Sequence, residues 1–595
     1  MERYDAVIVG SGAGGGIAAY VLARGGMRVA VLEKGPWLTA EDFSDDELKT
    51  GERTFYDQDP LIEPRSFRDG PEAGDRQFVG QVLPVSRCVG GGSVHYGGVC
   101  FRFRPEDFRA RSVFGNLSGA DIVDWPLSDD ELDENHPDSI WRIYDRLERL
   151  LGVAGGQMRG DADPGAPVPG AEWRRSRYPM PGHPANYGAK LFEQAARSLG
   201  LHPFPTPVCI NNGRYTLDDP ELLAGSAPLS RHGCSYCGMC SSHGCPHEAK
   251  GDTRVSALEL AQRTGRCTIL PDCNAIHVEI RDGRAQHVVY IDGRGRLQSV
   301  AGDRIVLACG VVDTPRLALL SEMPRDLVNH DVLGRYLTVH HFPGAIGIFQ
   351  ERIDFHRGFW SMRCLDDFYF GVPAVLGGGG RQYGFGNVQT IGPSSGYPLT
   401  NGGIIATAKF APWGANHKTA MRLMFGHMQW FGMIGQDPPV ATNRVDLDPS
   451  VTDAYGLPVA RITYRHHPND YAVAAQVLPH FAALLTAMGA TSTQVFGPLV
   501  SPSAIPQFLP QDLLQRGPLR GVPNPIAGLQ NHQHGTMRCG HDPDTSVVDA
   551  HCRFHGIPNL YIADGSVLPG SGGYNPTLTI QAMAWRTARA MLTGH

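Results

Sequence analysis

The chain has 595 residues, of which 42% are hydrophobic and 19% are charged, the balance of an ordinary globular protein. Because a single hydrophobic core stops growing at about 250–300 residues, this length predicts more than one core. The formal net charge of -7 argues against a nucleic-acid-binding protein, which would carry a basic footprint. The sequence holds no uninterrupted apolar run of about 18 residues, so we expect no transmembrane segment.

The N-terminal residues indicate a cytoplasmic protein. Residues 4–9 are typical of a buried strand of the fold, and they lack the charged and apolar regions of a secretory signal peptide. Export on the signal of a partner subunit is the alternative for localisation.

A glycine-rich turn follows this strand. It is Gly10-Ser11-Gly12-Ala13-Gly14-Gly15, and the residues after it predict a helix over 17–24 and a second strand over 28–32. G-x-G-x-x-G between a strand and a helix is typical of dinucleotide sites, of FAD and NAD alike. The first glycine permits the tight turn, the second lets the backbone approach a pyrophosphate, and the third lets helix and strand pack closely. Glu33, at the end of the second strand, is predicted to accept ribose hydroxyl bonds.

Two later segments favour FAD. Residues 87–98 contain consecutive glycines, whose backbone N–H groups can surround an anion or a flat ring. Residues 559–566 predict a strand, and residues 572–577 lead into a helix that extends to about Met591. Asn575 is the expected N-cap of this helix and Pro576 its first helical residue.

With these segments the chain resembles the glucose-methanol-choline (GMC) oxidoreductase family over nearly its whole length, most weakly in residues 37–80 and 345–440. The resemblance is carried by residues 4–36, 89–103, 305–321, 333–335 and 531–590. Residues 89–98, VGGGSVHYGG, resemble the bacterial gluconate and glucose dehydrogenase branch and the pyranose oxidases. Residues 124–153 also resemble the bacterial branch.

The resemblance implies an α/β fold with a Rossmann-like FAD-binding domain and an α+β substrate domain with an antiparallel sheet. The FAD-binding domain is then expected to comprise residues 1–335, with insertions at about 37–80 and 115–230, and residues 516–595. The substrate domain is expected at residues 336–515. There the sequence predicts a helix over 468–488 and strands over 339–349, 403–410, 422–430, 443–447 and 459–464.

The resemblance also implies which residues contact FAD. They are Gly10, Gly12, Ala13, Gly14, Gly15, Glu33, Lys34, Gly90, Gly91, Ser93, His95, Ala275, Ile276, Asp564, Gly565, Asn575, Pro576 and Thr577. In gluconate dehydrogenases and pyranose oxidases, a histidine at the position of His95 carries covalently attached FAD. The neighbours Val94 and Tyr96 differ from the residues common in those enzymes. Two alternatives therefore stay open: FAD attached covalently to His95, and a His95 ring that stacks near the flavin without a bond.

Residues 532–540, HQHGTMRCG, match the family pattern H-x-x-G-T-x-R-x-G. The resemblance maps the catalytic base onto His532 and its partner onto Asn575, with His534 ranked second as base. A neutral imidazole can accept the hydroxyl proton as a hydride leaves the alcohol carbon for flavin N5. The amide of Asn575 can orient the substrate oxygen. The expected activity is FAD-dependent oxidation of a CH–OH group of a sugar or sugar-like substrate.

Four cysteines follow the pattern C-x2-C-x2-C-x4-C-P. They are Cys234, Cys237, Cys240 and Cys245. Bacterial ferredoxins have one residue fewer in the last spacing, so an iron–sulfur cluster is less favoured than a structural zinc or disulfide site, or reduced thiols. A pair of histidines is not a metal site without further ligands, so no metal site is assigned to the adjacent pairs His340-His341 and His466-His467.

The substrate and the electron acceptor are not determined by the sequence. Oxygen or a redox partner can serve as the acceptor. Several aromatic residues can stack on a sugar ring but are more often core, namely Phe359, Trp360, Phe368, Tyr369, Phe370 and Trp430. Two other functions stay open: an NAD(P)-dependent dehydrogenase that uses the first motif alone, and a non-catalytic flavin electron carrier.

Overall fold

The computed structural model describes residues 2–43, 61–72, 77–80, 82–83, 86–156, 174, 176–240, 243–391, 415–497 and 532–594. The strand predicted at 403–410 lies outside these residues. Within the described ranges, no helix combines the length and apolar character needed to cross a membrane.

The strands of the described residues are labelled in chain order. They are β1 Arg3–Val9, β2 Val29–Leu32, β3 Arg65–Arg68, β4 Gln77–Gly80, β5 Ala154–Gly155, β6 Met180–Pro181, β7 Phe204–Pro205, β8 Tyr215–Leu217, β9 Leu229–Arg231, β10 Cys267–Leu270, β11 Asn274–Arg281, β12 Arg284–Ile291, β13 Leu297–Leu307, β14 Thr338–Val339, β15 Gly344–Ile348, β16 Arg363–Leu365, β17 Gly386–Ile391, β18 Met428–Gly435, β19 Arg444–Thr452, β20 Pro458–Thr463, β21 Ser492–Phe496, β22 Gln533–His534 and β23 Leu560–Ile562.

The α-helices of the same residues are labelled likewise. They are α1 Ala13–Arg24, α2 Gly92–His95, α3 Ala110–Phe114, α4 Asp129–Leu132, α5 Ile140–Leu151, α6 Tyr187–Ser198, α7 Pro220–Leu223, α8 Ala257–Arg263, α9 Gly310–Leu320, α10 Ala415–Met424, α11 Pro468–Ala487 and α12 Thr577–Thr593.

The first sheet has β1 near its centre. Strands β10, β2, β1, β13 and β23 run parallel, and β12 and β11 extend the sheet in the antiparallel direction. Val7 of β1 pairs with Ala30 on one side and Ile305 on the other, and all three side chains are fully buried. Such a strand is buried on both faces, which explains its unbroken apolar sequence. Helix α1 packs against the C-terminal helix α12, so the two ends of the chain meet at this sheet.

The second sheet is antiparallel and has the order β21-β15-β18-β17-β16-β7. Helix α11 packs against β15 and β21. Strand β7 comes from the predicted insertion at 115–230. A third sheet has the order β19-β20-β3-β4, and its strands β3 and β4 come from the predicted insertion at 37–80. Both insertions thus add strands to sheets that also contain strands of residues 336–515, the predicted substrate domain. The α/β fold with a Rossmann-like domain and an antiparallel sheet is confirmed.

Two predicted strands of the substrate half were wrong in detail. The strand predicted at 339–349 is two strands, because β14 pairs with β22 and the chain then passes Pro343 before β15 begins. Proline lacks the N–H group that a continuous ladder needs. The strand predicted at 422–430 is the end of α10 followed by β18. Between them Gly426 has a φ of +82°, a conformation that ends helices and favours glycine.

Candidate active site

A cavity of about 830 Å³ extends from the glycine-rich turn after β1 to His532 and Asn575. Of the predicted cofactor residues, it is lined by Gly10, Gly12, Ala13, Gly14, Glu33, Lys34, Gly91, Ser93, His95, Ala275, Asp564, Gly565, Asn575, Pro576 and Thr577. Gly15, Gly90 and Ile276 do not line it. The structure therefore collects at one cavity segments that are far apart in the sequence.

Two glycine loops cross at the wall of this cavity. Gly10 has a φ of +99°, and a Cβ there would lie 2.3 Å from the carbonyl oxygen of Ala308. Gly91 has a φ of +52°, and its Cβ would lie 2.8 Å from Cα of Gly12. Because these distances are far below van der Waals contact, a side chain at either position would separate the loops or distort the turn.

The N-terminus of α1 faces the cavity without a side-chain cap in the described residues. Its first N–H groups have no intrahelical partner, and with the helix dipole they form an anion site. A Cβ added to Gly92 or Gly310, which also line the cavity, would meet no atom within 4 Å. The open backbone and the free helix N-terminus fit a dinucleotide such as FAD.

Glu33 holds the turn together. Its Oε2 accepts hydrogen bonds from the backbone N–H of Ser11, at 3.1 Å, and from the Ser11 hydroxyl, at 2.7 Å, and its Oε1 accepts one from Gly35 N–H. Burial raises the pKa of Glu33, although these hydrogen bonds oppose the rise. A carboxylate offers about four acceptor positions, so capacity is left for a ribose hydroxyl.

His95 ends the short helix α2 and is buried at the cavity wall. Burial, followed by the charge of Lys250, holds the pKa of His95 well below its ordinary value, so the ring is neutral. Lys250 Nζ donates hydrogen bonds of 2.8–2.9 Å to the carbonyl oxygens of Tyr96, Cys240 and His243. The lysine therefore joins the cysteine segment to the loop that carries His95.

The four clustered cysteines, all described, do not bring three sulfur atoms within 4.8 Å of one another. None of them is among the residues that line the cavity in the described part of the chain. What this segment binds stays open.

His532 and Asn575 meet at the far end of the cavity. Asn575 Nδ2 lies 3.2 Å from Nε2 of His532, and Asn575 Oδ1 accepts a hydrogen bond of 2.5 Å from Gln389 Nε2. On its other side, His532 Nδ1 lies 3.1 Å from Nδ1 of His340. His340 Nε2 lies 3.0 Å from the carbonyl oxygens of Ser571 and Gly572.

These contacts have one consistent direction. Carbonyl oxygens only accept, so Nε2 of His340 carries that ring's proton. Burial, followed by the charges of His534 and His532, holds the pKa of His340 well below its ordinary value. Its Nδ1 is then a bare acceptor, which the Nδ1–H of His532 satisfies. Nε2 of His532 is left as the lone pair that faces Asn575, and burial lowers the pKa of His532 to about 4.

The structure bears on two further expectations, that Asn575 caps α12 and that His534 is the second candidate for the base. Asn575 is not the N-cap of α12, because Pro576 holds that place and the helix begins at Thr577. The amide of Asn575 is used by Gln389 and His532 instead. His534 is fully buried, its Nδ1 lies 3.4 Å from the Thr338 hydroxyl, and it is not part of the cavity lining.

Sequence reasoning did not identify His340 and Gln389 as site residues. His340 stands in an adjacent histidine pair, which was the one available signal, and Gln389 lies in β17, whose sequence GNVQTI gives no functional signal. Of the aromatic candidates, Trp360 and Trp430 line the cavity. Phe359, Phe368 and Tyr369 are core residues.

A charged network lies beside the cavity and ties distant segments together. Asp313 accepts from Lys34 Nζ at 2.9 Å and from Arg65 at 2.8 Å. Burial by itself would raise the pKa of Asp313, but the charges of Arg65 and Lys34 outweigh it and lower the pKa. Arg316 pairs with Glu63 and Asp453 at 2.9 and 2.7 Å. Lys34, predicted as a cofactor residue, thus also has a structural role.

Comparison with known proteins agrees with this geometry. Models of the GMC oxidoreductase family match residues 224–342 and 439–584, and a model of an NAD(P)-binding Rossmann-like domain matches residues 8–60. The fold is that of pyridoxine 4-oxidase from Mesorbium loti, with a TM-score of 0.62, 17% identity, and 98% of each chain covered. A formate oxidase structure has a TM-score of 0.62 at 14% identity, covering 100% of this chain and 99% of that one.

Curated relatives are similar over almost their full length. The 6'''-hydroxyparomomycin C oxidase of Streptomyces lividus is 30% identical, over 99% of this chain and 91% of that protein. The 2-methyl-1,2-propanediol dehydrogenase of Mycolicibacterium austroafricanum is 29% identical, over 98% and 94%. The gluconate 2-dehydrogenase flavoprotein of Pantoea cypripedii is 26% identical, over 99% and 94%. The chain therefore belongs to the GMC oxidoreductase family and is an oxidoreductase.

Proposed function

We propose that the protein oxidises a CH–OH group of an alcohol or sugar-like substrate, with FAD as its cofactor and His532 as the general base. The observation that carries the proposal is the directed chain of contacts that leaves the Nε2 lone pair of His532 facing Asn575 in the cavity. When bound, FAD supplies the acceptor for a hydride from the alcohol carbon.

The chain's own residues have distinct roles in this proposal. The first turn of α1 and the crossed glycine loops hold the pyrophosphate, and Glu33 holds a ribose hydroxyl. Nε2 of His532 takes the proton of the substrate hydroxyl. General-base catalysis of this kind typically raises the rate by about 10²–10⁴-fold. Asn575 Nδ2 donates to the substrate oxygen, and its direction is set because Gln389 already donates to Asn575 Oδ1.

The substrate class is supported by the cavity and by the relatives. Phe342, Trp360 and Trp430 line the cavity, and aromatic faces suit the CH faces of a cyclic or carbon-rich alcohol. The names of the relatives describe a diol dehydrogenase, an oxidase of a hydroxylated paromomycin and a gluconate dehydrogenase. Those names include an oxidase and dehydrogenases. The proposal therefore keeps both oxygen and a redox partner as acceptors of the electrons from the reduced flavin.

Covalent attachment of FAD through His95 is a second element of the proposal. The neutral ring at the cavity wall supports it, because a bare imidazole nitrogen is the atom that would form the bond. Acid precipitation of the purified protein decides it: attached flavin stays with the pellet, and flavin in the supernatant rules the bond out.

The test of the base is His532→Ala, with His287→Ala, a partly buried residue of β12 that does not line the cavity, as the control. We expect His532→Ala to lower kcat by two or more orders of magnitude while FAD stays bound, and His287→Ala to leave kcat unchanged. Flavin bleaching is followed anaerobically across a panel of alcohols and sugars. Full bleaching rates in His532→Ala would exclude the proposed base, and a colourless protein would favour the NAD(P)-dependent alternative.

A further inference from the structure

Three potential metal ligands meet outside the candidate active site. One donor atom each from Asp437, His466 and Asp470 lies within 4.8 Å of the others. Asp437 follows β18, His466 follows β20, and Asp470 lies in the first turn of α11. None of the three is part of the cavity lining described above.

The two carboxylates are buried without full compensation. Asp437 and Asp470 are both 0% exposed. Asp437 Oδ2 accepts hydrogen bonds from Val339 N–H at 2.6 Å and from the Tyr464 hydroxyl at 2.9 Å. Asp470 Oδ2 accepts one from His467 N–H at 3.0 Å and lies 3.2 Å from His466 Nδ1. Oδ1 of each receives no hydrogen bond from the described residues. Across the same residues, neither forms an ion pair with Lys or Arg.

His341 is an independent pointer to a ligand here. It is fully buried, and its Nε2 lies 2.6 Å from the carbonyl oxygen of Gly384. That nitrogen therefore carries the proton, and Nδ1 is a lone pair, for which the described residues offer no hydrogen-bond partner. Burial lowers the pKa of His341, and the charges of Asp470 and His466 also act on its ring.

We propose that Asp437, Asp470 and His466 bind a divalent transition-metal cation such as Zn²⁺, and that the buried Nδ1 of His341, which has no hydrogen-bond partner among the described residues, is a candidate fourth donor. Two buried carboxylates require compensating positive charge, and one divalent cation supplies it. Mixed carboxylate and imidazole donors suit Zn²⁺ and its neighbours better than Ca²⁺ or Mg²⁺, which prefer oxygen alone. The alternative is a proton shared between the two carboxyl groups.

The site would stabilise the layer behind the catalytic histidines. Asp437 Oδ2 accepts from Val339 N–H, next to His340, and Asp437 N–H donates to the Ser571 hydroxyl at 2.8 Å. Ser571 is also the residue whose carbonyl His340 contacts. The ion would therefore be structural and closed, and its presence does not depend on the proposed oxidation.

The experiment is elemental analysis of the purified full-length protein after dialysis against metal-free buffer. The cysteine segment could bind zinc too, so the control variant is Cys234→Ser with Cys237→Ser. We expect about one metal ion per chain, retained in the cysteine variant and at least tenfold reduced in His466→Gln and in Asp470→Asn. X-ray absorption of the bound metal should show oxygen and nitrogen neighbours without sulfur.

Two results would overturn the site. One is metal that disappears in the cysteine variant or shows sulfur neighbours. The other is native protein without stoichiometric metal that also fails to bind added Zn²⁺ or Co²⁺, which would assign a shared proton to the carboxyl pair. His466 is only partly buried, so His466→Gln should fold even if Asp470→Asn does not. Its folding is checked by circular dichroism and flavin absorbance. The metal content of His466→Gln and the X-ray absorption spectrum of the native protein then decide.

Discussion

The Nδ1 atom of His340 lies 3.1 Å from Nδ1 of His532, and two imidazole nitrogens at that distance need one proton between them. Because Nε2 of His340 already faces two carbonyl oxygens, His532 must donate. In the proposed reaction, His340 is thus a positioning residue that determines which nitrogen of His532 has the lone pair for accepting the proton.

The pair predicts a difference between two substitutions. His340→Ala removes the acceptor for His532 Nδ1–H and should lower kcat/KM by up to about 10²–10⁴-fold, the range of general-base catalysis. In His340→Asn the amide oxygen can still accept that hydrogen bond, so the loss should be clearly smaller. Steady-state kinetics with flavin content as the folding check measures both. Equal losses in the two variants would mean that His340 serves packing alone.

The pKa of His532 predicts the pH dependence of turnover. Burial lowers it to about 4, and a general base works only when deprotonated, above its pKa. We therefore expect kcat/KM to stay constant as the pH is lowered from neutral and to fall only when the pH drops through about 4. A stopped-flow pH series of the reductive step measures this. An acid limb near the ordinary histidine pKa of about 6.5 would contradict the buried neutral ring.

At the scale of elements, the cavity is built where helices begin and glycine loops cross. Helix α1 starts at Ala13 and α12 at Thr577, and both N-termini line the cavity. The sequence predicted that α1 begins at residue 17, whereas the helix begins at Ala13. It placed the start of α12 one residue too early, at Pro576, and the amide of Asn575 bonds to side chains from other segments rather than to its own helix.

The open backbone at Gly92 predicts a selective loss of cofactor affinity. Gly92 lines the cavity, and a Cβ there meets no protein atom within 4 Å, so Gly92→Ala should leave the stability of the apoprotein within about 1 kcal/mol. The added methyl group should weaken FAD binding at least tenfold, or about 1.4 kcal/mol. Gly379→Ala, also in open space but away from the cavity, is the control. Fluorescence titration with FAD distinguishes them, and equal affinities would contradict the assignment.

At the scale of the whole molecule, charged residues join segments that the sheets leave separate. Asp313 on α9 holds Lys34 after β2 and Arg65 on β3, and β3 itself belongs to the third sheet. The network therefore links the Rossmann-like sheet to the substrate half beside the cavity.

Asp313→Asn should destabilise the protein strongly. It removes the charge beside the buried Arg65, while Lys34 keeps its ion pair with Glu63 at 3.2 Å, and breaking a buried ion pair costs about 3–5 kcal/mol. Asp303→Asn is the matched control, because the ion pair of Asp303 with Arg3 is exposed and such pairs contribute about 0–1 kcal/mol. Urea denaturation measures both. Similar small losses would show that Lys34 and Arg65 find other partners.

Local patterns determined the class of the protein. The turn from Gly10 to Gly15 and the apolar strands around it are continuous in sequence, and they predict their own structure through short-range geometry. They were sufficient for the α/β fold. The HQHGTMRCG segment contributed through its resemblance to the family, and that resemblance implied the pairing of His532 with Asn575.

Only the tertiary structure decided which groups orient that pair and which balance the buried charges. His340 reaches His532 across 192 positions, Gln389 reaches Asn575 across 186, and Asp437 and Asp470 come from different elements. No spacing or periodicity encodes such contacts, because they arise when separate sheets pack and each buried polar atom must find a partner. Packing of distant segments, rather than local propensity, thus selected the proton direction at His532 and created the carboxylate pair.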